Sequence, residues 1–281
     1  MLLAVTLLAV LITFSGDDGA EFGFSDRIQV VDIEGELFDS RPIIEQLKRY
    51  EDSSSVKAIL LNIDSPGGGV AVSQELYAEI KRLREKKDKT IVAYLSSTGA
   101  SGAYYAACAA NRIIANPGTI VGSIGVIAEW VNYASLYEWA KLKEIVFKTG
   151  EFKDTGSPTR DLTENERKYF QGLIDDMYVQ FVEAVASGRK LELQEVRSVA
   201  DGRVFTGRDA KERKLIDEIG NFQDAVDLTA KLAGISGKPR LLRPARQRVT
   251  LLDVLTTDLS RLAPFNGQGL TSRIRFQYLW K

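Results

Sequence analysis

The sequence predicts a mixed α/β domain organised around a parallel sheet. Short apolar runs of strand length alternate along the chain with longer segments of helical period, as in strands joined by crossover helices. Glycine-rich turns stand where two of the predicted strands give way to helices. With 281 residues, 44% of them apolar, the chain is long enough to bury one large core.

The chain divides into three predicted segments, residues 1–23, 24–235 and 236–281. The middle segment carries the alternating pattern and is predicted to be a single domain. The last segment is a basic appendage, and its final stretch, 272–280, is predicted to be extended.

Residues 1–14 are almost wholly apolar and are predicted to anchor the chain in a membrane. As a helix they would span about 21 Å of a hydrocarbon core of roughly 30 Å, so a buried N-terminal helix is the alternative. Acidic side chains follow at Asp17, Asp18 and Glu21, which favours placing the middle segment on the extracytoplasmic side of the cell membrane.

The secondary structure of the middle segment follows from its periodicity. Residues 56–63 are continuously apolar, as in a strand buried on both faces of a parallel sheet. Thr163 and Glu166 form a capping box that begins a long helix, and Gly188 is predicted to end it. The predicted strands are 27–37, 56–63, 90–95, 112–115 and 120–127. The predicted helices are 40–50, 72–86, 106–110, 133–142, 163–187, 191–199, 206–214 and 221–232.

Composition excludes several kinds of chemistry. The chain has no histidine, which rules out Ser-His-Asp and Cys-His catalysis and histidine-ligated zinc. Its one cysteine, Cys108, cannot form a disulfide within the chain and is predicted to be a small core residue. The net charge of −1 gives no indication of nucleic-acid binding. We expect neither a metal nor another cofactor.

Ser101 stands in a tight turn of small residues between a predicted strand and a predicted helix. This arrangement exposes a nucleophile beside the free N–H groups of a helix N-terminus. Gly102 would allow a substrate to approach its backbone N–H. On this stretch alone, a serine that caps a core helix is the favoured interpretation.

A second turn, with glycines at 67, 68 and 69, joins a buried strand to a helix. Such a turn can direct backbone N–H groups at a ligand oxygen, as in an oxyanion hole or a phosphate loop. The Gly-Lys-Ser/Thr sequence of a Walker loop is absent. A plain tight turn is at least as good an explanation of this loop by itself.

Three motifs in order strengthen the functional interpretation: DSPGGGV at 64–70, ASGAYY at 100–105 and GSIGVI at 122–127. Together they resemble the signal peptide peptidase A family, in its short form, over about residues 28–232. The members are membrane-attached Ser-Lys proteases. The resemblance implies a fold like that of Clp protease and crotonase, with a repeated β-β-α core, a parallel sheet and additional helices in one catalytic domain.

The resemblance also implies roles for individual residues. Ser101 would be the nucleophile, Lys153 its general base and Ser123 the side chain that orients Lys153. The N–H of Gly102, with that of Gly67 or Gly68, would form the oxyanion hole. A lysine base agrees with the absence of histidine. A carboxylate beside Lys153 would favour its protonated form, so we predict that the side chain of Asp154 points away.

The activity implied is a serine endopeptidase that cleaves signal peptide remnants and other hydrophobic peptides without a cofactor. The implied assembly is a homo-oligomer whose active sites form between protomers. Substrate would bind in extended form along strand edges near Gly67 and Ile124. The extended tail at 272–280 suggests a further hypothesis, that the end of the chain can occupy the substrate groove.

Three other functions stay open at this stage. A stomatin-associated membrane protease would share the fold and the Ser-Lys site. A crotonase-fold enzyme would use similar glycine loops on an acyl-CoA thioester, although such enzymes usually carry a glutamate near the position of Ser101. A non-catalytic oligomeric scaffold would not need Ser101, Ser123 and Lys153 together.

Overall fold

The computed structural model describes residues 26–87, 89–243 and 275–281, and within them the predicted α/β fold is confirmed. The strands are β1 Arg27–Glu34, β2 Val56–Ser65, β3 Gly67–Gly69, β4 Thr90–Ala100, β5 Arg112–Ala115, β6 Ile120–Gly122, β7 Ile127–Glu129, β8 Val204–Thr206, β9 Glu218–Ile219, β10 Arg240–Leu242 and β11 Arg275–Leu279. The helices are α1 Arg41–Lys48, α2 Val70–Lys86, α3 Gly102–Ala107, α4 Ala134–Trp139, α5 Glu164–Arg189, α6 Leu193–Arg197, α7 Gly207–Glu212 and α8 Phe222–Leu232, with a 3₁₀ helix at Glu151–Asp154.

The main sheet has the order β10-β1-β2-β4-β5-β9, and its neighbours along this path run parallel. β6 pairs with the last residues of β4 and in turn pairs with β8, which is antiparallel to it. The sheet therefore forks after Leu95. A second, antiparallel sheet has the order β3-β11-β7 and lies at the carboxyl end of β2 and β4.

Two hydrophobic clusters cover the faces of the main sheet, as the continuous apolar run of β2 predicts. Alternate residues of β2 enter different clusters, Leu61 on one face and Leu60 on the other, and neither is exposed. The first face is covered by α2, α3 and α5, and the second by α8. The turns that follow β2 and β4 lead directly into α2 and α3, so both turns lie at the carboxyl end of the sheet.

The long predicted helix is α5, and its Thr163–Glu166 capping box is present. The prediction that Gly188 ends the helix is wrong, because the helix continues to Arg189 and Lys190 adopts the left-handed conformation with φ 55°. A Cβ atom at Gly188 would lie 2.1 Å from the carbonyl oxygen of Cys108. Gly188 is therefore needed for the close packing of α5 against the segment that follows α3.

Other predicted elements also differ from the structure. The predicted strand at 120–127 is divided into β6 and β7, because Gly122 and Ser123 have φ angles of 98° and 51° and interrupt the extended backbone. At the start of the predicted helix 40–50, α1 begins at Arg41, and the Ser40 side chain donates a hydrogen bond to Glu75.

The predicted location at the cell membrane is wrong on the evidence of the described residues. Across 26–87, 89–243 and 275–281 no helix is both long enough and apolar enough to cross a bilayer. The longest of these helices, α5, has 26 residues but carries charged side chains along its whole length. The predicted anchor at 1–14 and most of the C-terminal appendage, 244–274, lie outside the described residues.

The packing at Gly188 predicts that one added methyl group lowers the free energy of unfolding. We expect Gly188→Ala to lower the free energy of unfolding by about 1–3 kcal/mol, because the Cys108 carbonyl must move to admit the methyl group. Gly172→Ala is the matched control on the same helix, since a Cβ there has no atom within 4 Å. It should stabilise the chain by up to about 1 kcal/mol through helix propensity. Urea denaturation measures both, and equal effects would contradict the packing argument.

Candidate active site

Ser101 lies between β4 and α3 in a strained backbone conformation, with φ 52° and ψ −119°. Two backbone hydrogen bonds hold it: its N–H donates to the Gly122 carbonyl at 2.7 Å, and its carbonyl accepts from the Tyr105 N–H at 2.8 Å. The side chain makes no capping hydrogen bond. Its Oγ is buried and has no hydrogen-bond partner in the described part of the chain. The structure thus gives no support to a capping role for Ser101.

The glycine turn after β2 comes directly against Ser101. A Cβ atom at Gly67 would lie 2.6 Å from the Gly102 nitrogen and 3.1 Å from the Ser101 Cβ, so only glycine fits. The Gly68 nitrogen lies 3.2 Å from where a Cβ of Gly102 would be. The two loops that the sequence analysis singled out are therefore in contact.

Hydrogen bonding distinguishes Gly67 from Gly68. The N–H of Gly67 donates to the buried hydroxyl of Ser65 at 3.1 Å, whereas the Gly68 nitrogen lies beside Gly102. The N–H of Gly67 is thus engaged within its own turn, which favours Gly68 of the two predicted alternatives. Sequence analysis did not single out Ser65, although this serine belongs to the same glycine-rich motif.

Strand β11, near the end of the chain, lies beside the two turns that carry Gly67 and Ser101, in what is called the cleft below. β11 pairs antiparallel with β3 and β7, and Tyr278 stands opposite Gly68. The Tyr278 carbonyl oxygen lies 2.1 Å from the Cβ position of Gly67 and 3.1 Å from that of Gly102. The Trp280 N–H donates to the Pro66 carbonyl at 2.9 Å. Residues 275–281 therefore lie beside Ser101, while the hypothesis that this place is the substrate groove stays a prediction.

The Tyr278 side chain is fully buried in an aromatic pocket. It stacks on Tyr105, with ring centroids 5.3 Å apart, and contacts Phe181 at 4.6 Å. Its hydroxyl donates to the Met177 carbonyl at 2.7 Å. Burial raises the pKa of Tyr278 well above its usual value, so the phenol stays protonated and remains a donor.

Ser123 follows β6, directly after the residue whose carbonyl accepts the Ser101 N–H. Its own N–H donates to the Arg203 carbonyl at 2.8 Å, and the residue is only 6% exposed. A cavity of about 400 Å³ opens beside Ser123, bounded by Ile124 and Leu279 among others. The pairing of β4 with β6 thus brings Ser101 and Ser123 to the same end of the sheet.

Lys153 lies on the 3₁₀ helix, on the surface. Among the described residues it makes no hydrogen bond or ion pair, so a single chain does not bond it to Ser101 or Ser123. The adjacent Asp154 carboxylate pairs with Arg160 at 3.0 Å and with Lys148. Hydrogen bonds from Arg160 and then Lys148 lower the pKa of Asp154 to about 2. The prediction that the Asp154 side chain points away from Lys153 is confirmed.

The segment that leads from β7 to Lys153 exposes many large apolar side chains. Phe147 is 95% exposed and Trp139 79%. The remaining exposed members of this apolar segment are Val131, Leu136, Leu142, Ile145, Val146 and Phe152.

The hydrogen bonds of Glu166 predict that the stability of the folded chain depends on pH, and this prediction is independent of catalysis. Hydrogen bonds from Arg160, then the Thr163 N–H, lower the pKa of this carboxyl to about 2 in the folded chain. The stabilisation is therefore complete above the ordinary glutamate pKa and is lost as the pH falls towards 2. We expect Glu166→Gln to lower the melting temperature at pH 7 much more than at pH 3. Glu164→Gln, at an exposed site on the same helix turn, should lack this pH dependence.

Tyr278 predicts that the tail limits access to Ser101. Replacing Tyr278 by alanine removes the buried ring that anchors β11, so a serine-directed fluorophosphonate should label Ser101 several-fold faster. Tyr278→Phe keeps the ring and loses only the hydrogen bond to Met177, and should give a smaller increase. Equal labelling rates in all three chains would contradict a limiting role of the tail.

Comparison with known proteins assigns the family. Residues 83–236 match the model of Peptidase family S49. A Synechocystis sp. protein that bears a protease name is 41% identical over 237 residues, which cover 84% of each chain. The Arabidopsis thaliana "Serine protease SPPA, chloroplastic" is 33% identical, over 79% of this chain and 33% of its own length. Haemophilus influenzae "Protease 4" is 30% identical, over 75% of this chain and 35% of its own length. The chain therefore belongs to peptidase family S49, the family of the signal peptide peptidase A proteins, and is a serine peptidase.

Proposed function

We propose that the chain is an endopeptidase in which Ser101 is the nucleophile and Lys153 the general base. The observation that carries this proposal is the Tyr278 carbonyl, a peptide carbonyl that lies beside Ser101 and against Gly67 and Gly102. The serine hydroxyl that would attack such a carbonyl is buried and unpartnered in the described residues. The scissile bond of a substrate would occupy the same place.

The chemistry follows from these positions. Ser101 Oγ attacks the carbonyl carbon while neutral Lys153 accepts the hydroxyl proton. The N–H groups of Gly68 and Gly102 donate to the oxyanion of the tetrahedral intermediate. Lys153 then protonates the leaving amine, the peptide bond breaks, and an ester to Ser101 remains. Lys153 then removes a proton from a water molecule that attacks the ester, and it returns that proton to Ser101 Oγ as the new carboxyl terminus leaves. Ser123 would accept or donate a hydrogen bond that orients the lysine.

The two halves of the proposed dyad meet between protomers. Within the described chain, the Ser101 hydroxyl has no hydrogen-bond partner and Lys153 makes no polar contact. The segment that carries Lys153 exposes Trp139 and Phe147, which is typical of a surface covered in an assembly. A homo-oligomer would bury these side chains and bring Lys153 of the partner subunit to Ser101. A monomer would then be inactive.

The substrate class follows from the cleft and the relatives. An extended peptide would pair with β3 and β7 as β11 does, so recognition would use the backbone plus apolar pockets. Relatives include an Enterococcus faecium protein named for signal peptide peptidase SppA. Signal peptide remnants and other hydrophobic peptides are the substrates we propose. Cleavage of a scaffold protein, as in stomatin-associated proteases, is the alternative within the same chemistry. The peptidase family assignment leaves no support for acyl-CoA chemistry or for a scaffold without activity.

The dyad is tested by peptide hydrolysis with point variants of the full chain. We expect Ser101→Ala and Lys153→Ala each to lower kcat/KM for an apolar fluorogenic peptide by at least about 10³-fold. Lys143→Ala is the matched control, an exposed lysine on the same segment, and should keep its activity. Each variant is checked for oligomer size and melting temperature. An active, assembled Lys153→Ala would exclude this lysine as the base.

Mixing two inactive variants tests the position of the site between subunits. Ser101→Ala supplies intact Lys153 and Lys153→Ala supplies intact Ser101, so mixed oligomers should regain part of the wild-type activity. If the dyad forms within one chain, the mixture stays inactive at every ratio. Size-exclusion chromatography with two distinguishable tags confirms that mixed oligomers have formed.

A further inference from the structure

Arg160 makes several of the contacts that join the segment carrying Lys153 to α5, beside the Asn165–Glu151 hydrogen bond and the packing of Phe152 on Tyr169. The Arg160 guanidinium donates to the Glu166 carboxylate through Nη1 at 2.8 Å and through Nη2. The same guanidinium pairs with the Asp154 carboxylate at 3.0 Å and donates to the Asp154 carbonyl at 3.2 Å. Arg160 therefore binds both the backbone and the side chain of Asp154, the residue next to Lys153.

The contacts from Asp154 through Arg160 to Glu166 form a bridge, and its Glu166 end is rigid. Glu166 is 1% exposed, and its carboxylate also accepts the Thr163 N–H at 2.8 Å in the capping box of α5. A bidentate Arg–carboxylate contact fixes direction as well as distance. The bridge thus connects the 3₁₀ helix of Lys153 to the first turn of α5, whose far end packs in the core.

The bridge also balances charge around Lys153. The acidic groups of the segment are Asp154 and Glu151, and α5 adds Glu166. The basic groups that face them are Arg160 and Lys148. Without Arg160, the Asp154 carboxylate would keep Lys148 as its one described cationic partner and Glu166 would lose its own, and the less balanced negative charge would favour protonated Lys153.

We propose that Arg160 is a positioning residue for Lys153, which fixes the 3₁₀ helix against α5 and holds the Asp154 carboxylate away from the lysine. The inference rests on the proposed role of Lys153 as general base. Among the described residues, Arg160 contacts neither Ser101 nor the Tyr278 carbonyl, so its effect would be exerted through Lys153.

The test is the pH dependence of kcat/KM for the apolar peptide, measured with the full chain. We expect Arg160→Gln to move the acidic limb of the profile upward by about half a pH unit to one pH unit. Activity at a pH below that limb should fall about three- to tenfold, mostly in kcat. Arg167→Gln is the matched control, because it removes the same charge at an exposed site of α5 without a bridge.

A second variant separates positioning from stability. Arg160→Gln leaves Glu166 buried without its cation, so the melting temperature should fall. Adding Asp154→Asn removes the carboxylate that would otherwise pair with Lys153. The double variant should regain most of the wild-type pH midpoint while its melting temperature stays low.

The outcomes are distinct. A loss of activity in Arg160→Gln with an unshifted pH midpoint would overturn the inference and leave a structural role only. A shifted midpoint that Asp154→Asn does not restore would also overturn it, because the carboxylate would not be the cause. If Lys153→Ala is active, the proposed function fails first, whatever the arginine variants show.

Discussion

The parallel pairing of β2 with β4 is the constraint on which the rest of the molecule depends. Their register brings Ser65 opposite Gly99, so the glycine turn and the Ser101 turn leave the sheet side by side. At that point two backbones approach so closely that a side chain on Gly67 or Gly102 would overlap its neighbours. The hydrophobic clusters on both faces of the sheet hold this register, because a slip of one residue would exchange the faces of every β2 side chain.

Local patterns in the sequence were sufficient for most of the fold. Continuous apolar runs identified β2 and the first part of β4, and the Thr163–Glu166 pair identified the start of α5. Gly188 was misjudged because a glycine within a helix carries the same local signal as one that ends it. Only the approach of Cys108, 80 residues earlier in the chain (188 − 108), explains its presence. Contacts of that kind leave no periodicity for a sequence analysis to detect.

The sequence predicts the part of the site around Ser101 better than the part around Lys153. Ser101, Gly68 and Gly102 lie in turns next to predicted strands, so the sheet brings them together, and the resemblance to a family named them. The Ser65 hydroxyl, which favours Gly68 over Gly67 as the second donor, is revealed by no spacing rule. The place of Lys153 relative to Ser101 is not fixed by the chain alone, because no described contact joins them. The Asp154 orientation was predictable from charge, whereas the arginine that enforces it was not.

The position of β11 has a consequence for how the enzyme would respond to peptide concentration. A segment that is covalently attached to the domain competes for β3 at an effective concentration of the order of millimolar. A free peptide that pairs with the same strand edge must therefore be abundant or bind more tightly than residues 275–281 do. The cleft would bind few peptides that are dilute and of low affinity. It would still bind peptides that accumulate locally. The threshold would be set by the covalent tether and by the aromatic pocket around Tyr278, so both can be tuned without altering Ser101.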